Sequence, residues 1–429
     1  MKSAVQIRNK RILTGLLALA VALVCACGKK EETTEKTKKE RKTTVSSEVD
    51  EPAESQTPTS VSEETQTSSP TPSPSPAPDV SPTPSPDPSS FRTDKALNYM
   101  NSVTFDGVVL VADHGQEVWH IESGMADREQ NILNSIDTVF EFGSITKQFT
   151  AVAIMQLVEQ GKLSTDDTLD KYIPEYSHAG EVTIHQLLNM TSGVPDYLYC
   201  GVLGFTMEDL ENLDFSTVMS FADMLGTVVT TPLEKEELVS KMCAYDLNFT
   251  PGTQFEYSNT NYYFLGIIIE QLSGLPYDEY IRKNILEPLN ITELYPDTDH
   301  LTSNGRTDLG MIRFDLPHQD ASISYAVGVM TGTAAGLLQW EYCVIDHALL
   351  TEESWAKIFD GGQFGYGYGW YICDGYVEHS GMTLGYNTNV RVDASNRRVV
   401  IALSNIQPLT GTDSRPMASD VSEELWKDF

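Results

Sequence analysis

Glu141-Phe-Gly-Ser-Ile-Thr-Lys147 runs without a break into Gln148-Phe-Thr-Ala-Val-Ala-Ile-Met-Gln-Leu-Val-Glu-Gln-Gly161. Phe149, Val152, Ala153, Met155, Leu157 and Val158 recur at helical spacing, and Gly161 before Lys162 reads as a stop signal. Ser144 and Lys147 therefore fall on the first turn of a buried helix. Residues three apart share a helix face, so the Lys147 amine can reach the Ser144 hydroxyl, at the end of the helix that favours negative charge. A serine so placed is a candidate nucleophile, with the lysine as its base. The pattern S-x-x-K is short, and Ser354-Trp-Ala-Lys357 repeats it. There, however, Thr351-Glu-Glu-Ser354 reads as an ordinary capped helix start.

Toward the amino terminus, Lys2, Arg8, Lys10 and Arg11 precede an apolar run from Ile12 to Ala26 that ends in Val24-Cys-Ala-Cys27. A charged n-region, an h-region and a small residue before a cysteine read as a secretory signal over residues 1–26. The pattern resembles the bacterial lipobox, which implies cleavage before Cys27, a lipid on its thiol, and an extracytoplasmic protein whose contact with the membrane is that lipid. An uncleaved anchor or a simple signal peptidase site is the alternative, but the run is short against the roughly 20 residues of a span. Residues 27–90 are a lysine-rich mixed-charge block followed by Ser, Thr, Pro, Glu and Asp. So few apolar groups cannot offset the entropy of ordering, so a disordered tether is expected. The alternating prolines of Ser69 to Ser89 stiffen it toward polyproline II, about 3.1 Å per residue.

Residues 91–429 form the folded part. Phe91 to Ser102 reads as a helix, and Phe105 to Ala112 with Glu117 to Glu122 flank His114-Gly115, a hairpin signal. After Gly161 the chain is mostly helical to about Tyr325, including Val182 to Met190, Leu233 to Met242 and Asn261 to Leu272. From Gly365 strands are expected over Tyr366 to Cys373, Tyr386 to Val392 and Arg398 to Ser404, with a closing helix from Asp420 to Phe429. Strands at both ends around a helical middle predict an α/β (α+β) fold, an antiparallel sheet built from both chain ends, flanked by helices, with an all-α insertion lobe. A cleft is expected where the lobes meet.

The net charge of −32 argues against nucleic acid as a partner. No Cys/His cluster has zinc spacing and no Gly-rich phosphate loop is present, so no metal and no cofactor are expected. Cys200, Cys243, Cys343 and Cys373 remain in the domain, and three pairings are open to them if export oxidises them. Cys200 with Cys243 would close the segment before Tyr257.

Two further patterns complete the constellation. Tyr257-Ser-Asn259 follows Thr250-Pro-Gly-Thr-Gln-Phe255, a turn leading into an exposed loop, and His379-Ser-Gly381 sits on or beside a late strand before Met382-Thr-Leu-Gly385. Tyr99-Met-Asn101 and His178-Ala-Gly180 fit the same patterns, but only Ser144, Tyr257 and His379 occur in the order serine, tyrosine, histidine, each in a suitable local setting. With these motifs, and with Thr191-Ser-Gly-Val-Pro195 and Tyr366 to Trp370, the chain resembles the serine β-lactamase and penicillin-binding-protein superfamily. The similarity is to the branch with class C β-lactamases, D-alanyl-D-alanine carboxypeptidases and related esterases, and covers nearly all of Phe91 to Asn405.

The resemblance implies a serine hydrolase in which Ser144 forms an acyl-enzyme with a small peptide, ester or β-lactam-like substrate. Lys147, with its pKa lowered by burial, and Tyr257 would share the proton, either of them serving as base. Asn259 would bind a substrate amide and steady Lys147, and His379 would face the substrate as donor or positive charge. Gly381 would leave room for substrate along the strand, and the backbone N–H groups of Ser144 and Met382 would form the oxyanion hole. His379 stands where the K-T-G form has lysine, so a permanent cation for a substrate carboxylate is missing, which favours peptidase or esterase chemistry over efficient β-lactam hydrolysis. Met190, where the family often has histidine, is expected to alter loop packing only. A monomer is expected. The alternative is a non-catalytic penicillin-binding or wall-sensing lipoprotein that keeps the fold.

Overall fold

The computed structural model describes residues 89–200, 229–308, 313–315, 318–408 and 415–429. The expected signal over 1–26, Cys27 and the tether up to residue 88 lie outside these residues, as does most of the stretch from Tyr199 to Phe249.

The two ends of the domain meet in one six-stranded antiparallel sheet. Its strands are β1 (Gly107–Asp113), β2 (Gln116–Ser123), β3 (Tyr371–Ile372), β4 (Val377–Thr383), β5 (Tyr386–Asp393) and β6 (Arg398–Ser404), in the order β3-β4-β5-β6-β1-β2. β1 and β2 are joined at His114 and Gly115, whose φ values of 52° and 81° are the two positive angles that a tight hairpin turn needs. The closing pair is β1 with β6, in the register Val108↔Leu403, Val109↔Ala402 and Val111↔Val400.

β1 reads Gly-Val-Val-Leu-Val-Ala-Asp with no polar alternation, and every residue of it is buried because both faces of the sheet are covered. Val109, Val111, Val400 and Ala402 pack beneath the helices Thr93–Ser102 and Ala418–Trp426, with Ala96, Met100, Val421 and Leu425. Val108, Leu110, Ile401 and Leu403 face the other way, into a larger core with the helix Thr146–Glu159. Burying each such Val, Leu or Ile contributes about 1.5–3 kcal/mol. The strand expected over Tyr366 to Cys373 is cut to Tyr371–Ile372, since Gly365 and Gly369 adopt φ of 74° and 86° and turn the chain out of extension.

The helix Thr146–Glu159 is buried from Thr146 through Met155 and again at Leu157, and stops before Gly161 at φ 69°. Phe149 stacks on Trp340 at 4.2 Å, and Trp340 Nε1 donates to Gln148 Oε1 at 2.8 Å. The helix Asn259–Ser273 begins two residues earlier than expected, which turns Asn259 from a loop residue into a first-turn one. Ser258 and Asn259 are buried, so the exposed loop expected there is absent. Met190, at φ 62°, is fully buried and its Sδ accepts from Asn261 Nδ2 at 3.4 Å. None of the four domain cysteines is in a disulfide, and Cys243 Sγ donates to Glu175 O at 2.9 Å in place of the Cys200 pairing.

Behind this helix Glu341 is fully buried with no hydrogen bond of regular geometry to either carboxyl oxygen. Burial pushes its pKa up to about 8, and only Gln148 pulls against it. A carboxyl held protonated by the fold but ionised in the unfolded chain costs stability as pH rises from its unfolded value near 4.5 to about 8. Glu141, raised to about 7 by burial, adds a slope of the same sign. Glu341→Gln is expected to gain on the wild type between pH 5 and pH 9, by on the order of 2–4 kcal/mol in denaturant unfolding. An equal difference at both pH values would refute this assignment.

Candidate active site

Ser144 lies in a single turn, Gly143–Ile145, immediately before the buried helix, and Lys147 occupies that helix's second position. Ser144 keeps some exposure while Lys147 has none. The hydroxyl is open to a substrate and the amine is not. Lys147 Nζ lies 2.9 Å from Ser144 Oγ, 2.9 Å from Asn259 Oδ1 and 3.0 Å from Val327 O. The last of these depends on a backbone distortion: Tyr325, at φ 33° and ψ −138°, breaks the segment Ala321–Gly328. Beyond that kink Ala326 O accepts from Thr150 and Val327 O accepts from Lys147. Strain of this kind costs about 1–3 kcal/mol and collects at functional sites.

Burial drives the Lys147 pKa down to about 7, and the nearby Asp196 charge pulls it back up. The Tyr257 hydroxyl is buried with no hydrogen bond of regular geometry, and its ring lies 5.0 Å from Lys147 Nζ. Burial raises the Tyr257 pKa well above its ordinary value, with Tyr371 adding to the rise and the Ser144 hydroxyl opposing it.

His379 is brought to the site but in another state than expected. It is 1 % exposed. Its Nδ1 sits 2.7 Å from Ser380 O, which can only accept, so Nδ1 carries the proton. Nε2 is then an acceptor, filled by the Tyr366 hydroxyl at 3.0 Å. Burial lowers its pKa to about 3, with the Lys147 charge pushing the same way. His379 is therefore neutral with both nitrogens occupied, which corrects the expected donor or positive charge.

Gly381 also differs from expectation. A Cβ there would lie 1.7 Å from Phe142 O and 2.4 Å from Thr388 Oγ1, so protein fills the space that was assigned to substrate. The purpose of this glycine is to let β4 close on the Phe142-Gly143-Ser144 turn. Gly143, at φ 57°, is the matching point on the other side, where a Cβ would lie 2.6 Å from Met382 N. The backbone at Met382 and the Gly143–Ser144 turn thus meet side by side.

The repeated motifs serve other ends. Ser354 Oγ donates to Glu159 at 2.6 Å within a helix capped by Thr351, and Lys357 pairs with Glu353 at 3.2 Å. His178 pairs with Glu181 at 2.8 Å.

Asp196 was not singled out from the sequence, although it directly follows the quoted Thr191-Ser-Gly-Val-Pro195. Its carboxylate accepts from Asn259 Nδ2 at 2.8 Å, Asn259 N at 3.2 Å and Leu198 N at 3.0 Å. The available signal was an acid directly following that run. Beyond Tyr366 a cavity of about 220 Å³ is lined by groups including Gln186, Asn189, Thr191 and Phe364. Among the described residues no three His, Cys, Asp or Glu side chains gather as a metal site.

The solved penicillin-binding protein from Bacillus halodurans is 25 % identical and aligns with a TM-score of 0.63 over 78 % of this chain and 100 % of that one. D-amino acid amidase from Ochrobactrum anthropi SV3, at 18 % identity and a TM-score of 0.62, covers 75 % of this chain and 92 % of that one and shows the same fold. Penicillin-binding protein 4* of Bacillus subtilis (strain 168) is 28 % identical over 328 residues, 70 % of this chain and 68 % of that protein. The family model for Beta-lactamase matches residues 98–419, and the chain belongs to that family.

Proposed function

We propose that the protein is a serine hydrolase that cleaves an amide or ester through an acyl-enzyme on Ser144. The single observation that carries this is the set of contacts around Lys147. A neutral amine has two N–H donors and one lone pair. Asn259 Oδ1 and Val327 O can only accept, so together they take both donors, and the lone pair is left for the Ser144 hydroxyl. With the amine titrating about pH 7, a large share of molecules hold it in that form at neutrality.

Ser144 Oγ attacks the carbonyl as its proton passes to Lys147 Nζ. The oxyanion forms against the backbone N–H groups of Ser144 and Met382, each such donor contributing about 3 kcal/mol. The tetrahedral intermediate then expels the amine or alcohol, which receives the proton from Lys147 by way of the Tyr257 hydroxyl. Tyr257 stays a neutral phenol because of its raised pKa, which leaves Lys147 as the base. Water attacks the acyl-enzyme by the same route in reverse.

His379 offers no charge to a substrate carboxylate, so amides and esters with an uncharged end are the better substrates, and penicillins and free-carboxylate peptides the poorer. A fluorophosphonate should label the wild type and leave Ser144→Ala unlabelled. The same pair of proteins, run on D-amino-acid amides, D-Ala-D-Ala peptides, p-nitrophenyl esters and a cephalosporin, then ranks the substrates. A folded wild type that takes no label would refute hydrolysis and favour a binding module.

A further inference from the structure

We propose that Asp196 is a positioning residue that locks the Asn259 side chain with its oxygen toward Lys147, and so decides that the lysine lone pair faces Ser144. This rests on the reading of Lys147 as base.

A side-chain amide presents an oxygen at one end and an NH₂ at the other, and either end could in principle face Lys147. Asp196 removes the choice. Its carboxylate can only accept, and it already receives Asn259 Nδ2 at 2.8 Å and Asn259 N at 3.2 Å. Rotating the amide would set Oδ1 against a carboxylate and NH₂ against the amine. The lysine lone pair would then be drawn to Asn259 and lost to Ser144. Asp196 is a partner of Asn259 and not of Ser144, so its positioning effect passes through Asn259.

The same carboxylate also acts on Lys147 through charge, holding its pKa higher than burial alone would. The other titratable groups facing the amine are Tyr257, Tyr262 and His379. Tyr257 and Tyr262 are held protonated and His379 neutral. Burial pushes the Asp196 pKa up, while the hydrogen bonds from Leu198 and Asn259 and the Lys147 charge pull it down, and in its ionised form Asp196 is the negative charge acting there among the described residues.

The test is a double-mutant cycle read by the rate of fluorophosphonate labelling, which needs Ser144 and its base but not the natural substrate. Asp196→Ala is expected to slow labelling about 10- to 100-fold in the wild-type background, and about threefold or less when Asn259 is already alanine. Equal losses in both backgrounds would show a merely structural role and overturn the proposal.

Asp196→Asn supplies a second readout. It keeps an acceptor for Asn259 but removes the charge, so the midpoint of the pH–rate curve moves below that of the wild type while the rate above the midpoint largely recovers. A rate above the midpoint that stays about tenfold or more below the wild type's would overturn the proposal even if Asp196→Ala fails to fold. A wild type that takes no label at Ser144 would remove the hydrolase reading itself. Labelling with additive losses would remove the role of Asp196 alone.

Discussion

Replacing Lys147 by methionine is expected to slow fluorophosphonate labelling of Ser144 about 1,000-fold, within the range ascribed to a general base. Methionine keeps the length and apolar stem of lysine and takes away the lone pair. The wild-type rate should climb with pH about a midpoint near 7, since the amine must lose its proton to accept one from Ser144. In Lys147→Met that limb disappears. Stability should move in the opposite direction. A lysine whose pKa falls on folding binds fewer protons in the native chain than in the unfolded one, so it burdens the fold most below pH 7 and least above 10.5. Lys147→Met is then more stable than the wild type at pH 6 by on the order of a few kcal/mol, with the advantage shrinking toward pH 10. A variant that labels at near the wild-type rate, or a wild-type profile flat from pH 5 to 9, would remove Lys147 from the mechanism.

Ser144 and Lys147 were readable because their relation is local: two residues three apart in the chain, announced by the apolar run behind them. The sheet was readable for a similar reason, since β1 and β6 are continuous apolar runs and the His114-Gly115 turn marks the hairpin. What escaped was whatever depends on contact between distant segments. The charge of His379 is decided by its burial, by Tyr366 and by Lys147, none of which a three-residue motif reveals. The start of the helix at Asn259 depends on Asp196, 63 residues earlier, accepting its backbone N–H. The alternation Tyr366-Gly-Tyr-Gly imitates a strand's period of two, yet Gly365 just before it and Gly369 at its end supply bends. Val327 O could not be found at all, because a backbone carbonyl has no letter in the sequence and this one is aimed by the distortion at Tyr325.

The second large effect is expected at Gly381, and it bears on the oxyanion hole. A methyl group there would meet Phe142 O at 1.7 Å, Thr388 Oγ1 at 2.4 Å and Phe142 C at 2.8 Å. Two of these three atoms are backbone, so no rotamer change relieves the clash. β4 must draw back from the turn that carries Ser144, and the hydrogen bond from Thr388 Oγ1 to Phe142 O, 2.8 Å, lies in the gap that opens. Met382 N is the next residue's amide and moves with the strand. Gly381→Ala should therefore lose about 1–3 kcal/mol of stability to overpacking and, separately, about 100-fold or more in acylation rate from the displaced donor. Ser380→Ala is the control, since Ser380 is exposed and its Oγ accepts only from Asn389 Nδ2 at 2.9 Å. If Gly381→Ala acylates like Ser380→Ala at a temperature where both are folded, the Met382 amide takes no part in holding the oxyanion. If it folds but does not acylate, the close approach of β4 to the Phe142-Gly143-Ser144 turn is what positions that amide.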